Sequence, residues 1–222
     1  ESEIYKSFSN KRKLKKRDFN LDLNNENSIL SFSINIKKTK FKYIILCPGI
    51  IFGKSIDKYN YKEIDQVNDI NYIGITKLLN KIIRKNLDKK CVMIFISSIS
   101  GRRGSYDHYY AGAKAGLISF AKSLSKYHGD KMRINIIAPS LINKTKMYYQ
   151  NSKKNIGKIK KETPNKRILS SDELAKIIKD MMQSHWDHYL MSRSKTWTLK
   201  TMHLLPIITD AQPTGLPWRY CR

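Results

Sequence analysis

Ser98, Tyr110 and Lys114 stand in an order and at spacings that suit proton transfer to a carbonyl group. On a helix, positions i and i+4 share a face one turn apart, so Lys114 is expected beside Tyr110. An ammonium near a phenol favours the phenolate and is expected to lower the tyrosine pKa from about 10 toward working pH. Tyr110 then acts as general acid in reduction and general base in oxidation. Ser98 is expected to donate to the carbonyl oxygen, where negative charge develops as hydride arrives.

Spacing alone is weak evidence, because Tyr127/Lys131 and Tyr149/Lys153 repeat it in a lysine-rich chain. A tyrosine and a lysine on a solvated helix face account for those two pairs. Context separates Tyr110 from them. The apolar run Val92 to Ile96 ends in Ser97-Ser98, a glycine-bearing loop follows, and then comes a helix rich in small residues: Ala111, Gly112, Ala113, Ala115 and Gly116. A buried parallel strand that delivers residues at its carboxyl end, followed by a closely packed helix, is where open α/β sheets keep their sites.

With Phe95-Ile-Ser97-Ser98-Ile-Ser-Gly101, Tyr110-Ala-Gly-Ala-Lys114 and Asn135-Ile-Ile-Ala-Pro139 in sequence, the chain resembles the short-chain dehydrogenase/reductase family. Further motifs run in order over roughly residues 17 to 188. Asp69-Ile-Asn71-Tyr-Ile-Gly74 is similar to the family's Asp-Val-Asn-Leu-x-Gly segment, whose asparagine holds a helix kink and a proton-relay water; the resemblance gives Asn71 that role. A surface or capping asparagine is the plainer account. Cys47-Pro48-Gly49 takes the place of the family's Asn-Ala-Gly, where the backbone passes under the cofactor, and only Gly49 matches. Asp22 matches the aspartate near the adenine ring, with a helix cap before 25–36 as its alternative. Ile142 resembles the residue whose backbone meets the carboxamide, and Thr145 the threonine at the nicotinamide end, one position later than usual. The family implies NAD or NADP as cofactor and homo-oligomers formed through the long helices.

Both ends depart from the pattern. Family members open with a strand and a Thr-Gly-x-x-x-Gly-x-Gly turn that brings pyrophosphate to a helix N-terminus. No such turn occurs in this sequence, and position 1 is Glu. By family spacing, about 40 residues of βαβ structure are expected before it, so the chain reads as a fragment. From about Leu190 the composition changes from Lys/Asn/Ile to Thr/Trp/Pro. The expected division is therefore a truncated Rossmann-like domain over 1–190 and a divergent or frame-shifted tail over 191–222. Written in AT-rich codons, Met191 to Trp197 reads one base on as Cys-Gln-Asp-Leu-Lys-Leu, similar to the family's Gly-Gln-x-Leu ending.

Composition bounds the alternatives. A chain of 222 residues with 41% hydrophobic residues can bury one substantial α/β core. No apolar stretch suits a membrane span. Cys47, Cys91 and Cys221 are scattered, which fits a reducing cytoplasm better than disulfides or zinc. His185 and His188 read as surface-helix residues, so no metal site is expected. The net charge of +25 and the run Lys11 to Arg17 raise a reading from another class, a non-catalytic remnant or basic nucleic-acid-binding module. The joint enrichment of Lys, Asn and Ile along most of the chain points instead to an AT-rich coding bias, and specific nucleic-acid binding is not expected.

The expected architecture is a doubly wound parallel α/β sheet, Rossmann-like and lacking its N-terminal βαβ portion. Strands are expected near 18–23, 42–47, 91–97 and 132–138, and helices near 25–36, 61–87, 107–128 and 172–183. The lysine-rich stretch 141–167 occupies the family's mobile substrate lid. Its charge suits an anionic substrate, and coding bias explains it as well. The resemblance thus implies an NAD(P)-dependent oxidoreductase interconverting a carbonyl and a secondary alcohol, with reduction of 3-oxoacyl thioesters on acyl carrier protein as the alternative. The step that chooses NAD or NADP is normally made upstream of the first motif.

Overall fold

The computed structural model describes residues 20–87 and 91–183. The basic run Lys11 to Arg17, the His185/His188 pair, Cys221 and the tail over 191–222 lie outside them.

The chain alternates helix and strand. Helix α1 (Glu26–Asn35) leads to strand β1 (Tyr43–Leu46), then to α2 (Tyr61–Asn68), a π-helical turn (Asp69–Ile73) and α3 (Gly74–Asn86). Strand β2 (Val92–Ile96) is followed by the single turn α4 (Ser100–Arg103), the long α5 (His108–His128) and strand β3 (Arg133–Ile137). A two-residue strand β4 (Ile142–Asn143), short helices α6 (Lys146–Tyr149) and α7 (Lys153–Glu162), strand β5 (Leu169–Ser170) and α8 (Ser171–Gln183) complete the described chain.

Strands β1, β2 and β3 form a parallel sheet in that order, with Tyr43 opposite Val92 and Val92 opposite Arg133. Every residue of β2 is buried, as a central parallel strand with both faces covered requires. Alternation along β2 divides the core in two. Met93 and Phe95 join Ile29 of α1, Leu79 of α3 and Leu117 of α5 on one face. Val92, Ile94 and Ile96 join Leu174 and Ile178 of α8 on the other. Helices therefore cover both faces of the sheet, the doubly wound arrangement.

Local signals set the helix starts. Asn60 and Glu63 form a reciprocal capping box before α2, and Asp107 accepts from the Tyr110 N–H to open α5. Asn25, rather than Asp22, caps α1 by accepting from the Ser28 N–H at 3.1 Å.

One expected element is corrected. Residues 20–22 have no regular structure and Leu23 begins a turn, so the described part of 18–23 is not a strand. The Asp22 carboxylate accepts from the Asn24 N–H, while the Asp22 N–H donates to Ser28 Oγ, both at 2.9 Å. These local bonds take the backbone out of a ladder and fold it onto the start of α1. Leu21 and Leu23 still pack on the core. Short helices α6 and α7 lie within the stretch expected as a mobile lid.

Candidate active site

The site is assembled where the carboxyl ends of β1 and β2 meet the first turns of α5. Ser97 and Ser98 follow β2 directly and are buried. Ser97 Oγ donates to the Lys114 carbonyl at 2.8 Å, pinning α5 to the strand end. Gly101 makes that approach possible. A Cβ there would lie 2.6 Å from the Lys114 carbonyl carbon, a distance only glycine avoids. Ser98 Oγ accepts from the Ser100 N–H at 3.2 Å and interacts with the Tyr110 phenol.

Lys114 is 2% exposed. Its Nζ donates to the Pro48 carbonyl at 3.0 Å and to the Ile96 carbonyl at 3.4 Å, and it stands 5.8 Å from the centre of the Tyr110 ring. Burial without a full countercharge pushes its pKa down to about 8, offset in part by the Cys47 thiol.

The expected effect of Lys114 on Tyr110 is reversed by burial. The phenol is pushed above its ordinary value, chiefly because it is desolvated; the Ser98 hydrogen bond pulls it back, and the charges of Asp107 and Cys47 raise it further. The ammonium faces main-chain carbonyls, so spacing on a helix face overstated its pull. Cys47 is raised by burial and drawn back by Lys114.

Asn71 sits within the π turn and is fully buried. Its Nδ2 donates to the Val67 carbonyl one turn back at 2.8 Å and to the Ile50 carbonyl at 2.9 Å, and its Oδ1 accepts from the Ile50 N–H at 3.3 Å. The widened turn thus coincides with a side chain that reaches out to hold the loop after β1. Gly74 lets that turn pack, since a Cβ there would meet the Leu23 carbonyl oxygen at 2.2 Å.

Gly49 lies against two of these groups. A Cβ on it would lie 3.4 Å from both Asn71 Oδ1 and Lys114 Nζ and 3.6 Å from Met147 Cε. Ser98, Tyr110, Lys114, Asn71 and Gly49 are therefore neighbours, although Gly49 and Lys114 are 65 residues apart in sequence. Met147 was not signalled by any motif. Thr145 places it: Oγ1 accepts from the Tyr148 N–H at 3.2 Å as the cap of α6 and donates to the Ile142 carbonyl at 2.8 Å. Ile142 in turn pairs with Leu169 in the small second sheet. Asp22 is not brought to this group; its hydrogen bonds stay within 22–28.

The two other tyrosine–lysine pairs differ. Tyr127 is exposed and Lys131 falls beyond the end of α5, while Tyr149 closes α6 and Lys153 opens α7. Among the described residues, no three His, Cys, Asp or Glu side chains gather as metal ligands, and no helix is long and apolar enough to cross a membrane.

A family profile described as Enoyl-(Acyl carrier protein) reductase matches residues 7–189. The 3-oxoacyl-[acyl-carrier-protein] reductase of Buchnera aphidicola is 31% identical over 162 residues, covering 71% of this chain and 66% of that protein. The enzyme of the same name from Chlamydia muridarum is 38% identical over 97 residues, 42% of this chain and 39% of its own length. The chain thus spans less than two thirds of these curated relatives. Among solved structures, a short-chain dehydrogenase family protein from Francisella tularensis superposes with a TM-score of 0.66 at 20% identity, covering 74% of this chain and 72% of that one. A 3-oxoacyl-[acyl-carrier protein] reductase from Brucella melitensis superposes with a TM-score of 0.65 at 21% identity, covering 74% and 64%.

Proposed function

The chain belongs to the short-chain dehydrogenase/reductase family, and from that premise we propose that it interconverts a carbonyl and a secondary alcohol with NAD or NADP. The observation that carries this reading is the linked placement of Ser98, Tyr110 and Lys114, with Gly49 lying against both Lys114 and Asn71. A nicotinamide cofactor supplies the hydride in such a reaction. The donor set suits the hydroxyl-rich ribose next to a nicotinamide: two of the three Lys114 N–H groups are engaged by the Pro48 and Ile96 carbonyls, leaving one for a ribose hydroxyl. No residue of the sequence supplies a Thr-Gly-x-x-x-Gly-x-Gly turn for its pyrophosphate. We assign Gly49, Ile142 and Thr145 to the nicotinamide side of the cleft. The local bonds of Asp22 leave its adenine-side role resting on resemblance alone.

In reduction, Tyr110 gives its proton to the carbonyl oxygen while Ser98 donates a hydrogen bond to the same atom. A phenol raised by burial is protonated at neutral pH and ready for that step. Lys114 stabilises the phenolate left behind, and Asn71 holds the loop at Ile50 from which a proton path to Lys114 can continue. Loss of the Lys114 proton above about 8 is expected to weaken that support.

A narrower reading, reduction of a 3-oxoacyl thioester on acyl carrier protein, is favoured by the names of the curated relatives. Lys144, Lys146, Lys153 and Lys154 on and around α6 and α7 supply positive charge for an anionic carrier. We further take 1–190 as the family domain and 191–222 as a separate tail, since the family match ends at 189. Assembly through α5 and the α2–α3 pair into a homo-oligomer, and a reducing cytoplasm, complete the proposal. The test is oxidation of NADH and of NADPH by the full chain with a 3-oxoacyl thioester and with simple ketones. Turnover with either cofactor supports the reading. Purified, folded protein that consumes neither cofactor favours the non-catalytic or basic binding alternative.

A further inference from the structure

Asp107 is a carboxylate that the proposed chemistry does not use, yet it is 2% exposed. Its Oδ1 accepts from the Tyr110 N–H at 3.0 Å, the first-turn bond of α5. Its Oδ2 accepts from the Gly53 N–H at 2.9 Å and from the Tyr59 hydroxyl. Gly53 adopts a positive φ of 68°, and a Cβ there would meet open space. The Tyr59 ring stands edge-on to Tyr109 at 4.9 Å and to Phe52 at 5.9 Å, closing the loop over the acid.

The same loop carries the Pro48 carbonyl that holds Lys114 and the Ile50 peptide that holds Asn71. Its near end is thus fixed by two site residues and its far end by one buried carboxylate. A helix cap needs only one acceptor oxygen, and Asn supplies that as well as Asp. The second oxygen, with two further donors on it, is what makes the acid different.

We infer that Asp107 is a positioning residue, whose single carboxylate fastens the 48–59 loop to the first turn of α5 and so fixes Tyr110 and the support of Lys114 relative to one another. This rests on the catalytic reading of Tyr110. Its electrostatics provide an independent handle, because the Asp107 charge also holds the phenol up. The other groups facing Tyr110 are Ser98 after β2, Cys47 after β1 and Lys114 on α5 itself.

Asp107→Asn in the full chain isolates the second oxygen. The cap is retained, while the amide NH2 now faces the Gly53 N–H. The Tyr110 phenol is followed by NMR titration of carbon-13-labelled tyrosine, assigned with Tyr110→Phe, and the Gly53 amide by hydrogen exchange. In Asp107→Asn the titration should move to lower pH and Gly53 should exchange on the order of tenfold faster. Where turnover is measured, kcat should fall about 10- to 100-fold with KM little changed. Tyr59→Phe keeps the acid and removes one donor. It should speed Gly53 exchange without lowering the Tyr110 titration, and it serves if the asparagine variant does not fold. A Tyr110 titration and Gly53 protection in Asp107→Asn that superimpose on the wild type overturn the inference. Faster exchange at Gly53 with an unmoved titration would also count against it. If the wild type turns over no carbonyl, the proposed function falls, while the titration and exchange results still decide the positioning role.

Discussion

The two ends of α5 carry the same spacing and opposite surroundings. At its start, Tyr110 and Lys114 are buried, held by Asp107, Ser98, Pro48 and Ile96. At its finish, Tyr127 is 67% exposed and Lys131 lies beyond the last helical residue, in the turn closed by His128. A tyrosine four residues before a lysine therefore specifies nothing by itself. What sets the first pair apart is its place at a strand end, under a loop, where desolvation multiplies every charge.

The comparison breaks most simply at the hydroxyls. Tyr110→Phe should lower the rate of carbonyl reduction on the order of 10²- to 10⁴-fold, the usual worth of a positioned general acid. Tyr127→Phe should leave it unchanged. Steady-state rates of both variants with the same substrate decide the matter; equal rates would remove Tyr110 from the mechanism.

The lysines provide the next test. Lys114 has a folded pKa near 8 against 10.5 when free. Below 8 both states carry the proton, and the folded protein bears the full cost of a buried cation. Between 8 and 10.5 the unfolded chain keeps a proton that the folded chain has lost, so stability rises with pH across that window. The gain is on the order of 3 kcal/mol at most. Urea unfolding at pH 7.5 and 10.5 should show it in the wild type and not in Lys114→Met. Lys131→Met should retain the rise. Loss of the rise in both variants would detach it from the buried site.

The same contrast explains what could be read without coordinates. Strand β2, α5 and the Ser98–Tyr110–Lys114 order follow local periodicity and small-residue packing, and these are written within one stretch of chain. The sign of the Tyr110 shift was missed, because burial depends on α4, β2 and the β1 loop together. The described part of the expected 18–23 strand differs for the opposite reason: Leu21 and Leu23 alternate like a strand, but Asp22 and Ser28 close a local turn. Helices α6 and α7 lie in a lysine- and asparagine-rich stretch where Ile156 and Ile159 give only a single helical apolar pair. Asp107 carried no motif to single it out, and its loop partners are 54 and 48 residues away. Met147 had no signal at all.

Two glycines near the start of α5 sharpen the comparison to single methyl groups. Gly101→Ala drives a Cβ to 2.6 Å from the Lys114 carbonyl carbon, a backbone atom that cannot yield without shifting the helix. Overpacking of this kind costs about 1–3 kcal/mol, and the shift should also lower kcat through Lys114. Gly112 lies between Tyr110 and Lys114 on the opposite, exposed side of the helix, with nothing within 4 Å of its Cβ. Gly112→Ala should therefore stabilise by about 0.5–1 kcal/mol through the unfolded state and the helix propensity of alanine. Thermal unfolding and kcat on the two variants separate the effects: one methyl should harm both quantities, the other should raise stability and leave turnover as it was. A loss of activity in Gly112→Ala at raised stability would mean that the exposed side of this helix is covered by a partner during turnover, with a second copy of the chain the first candidate.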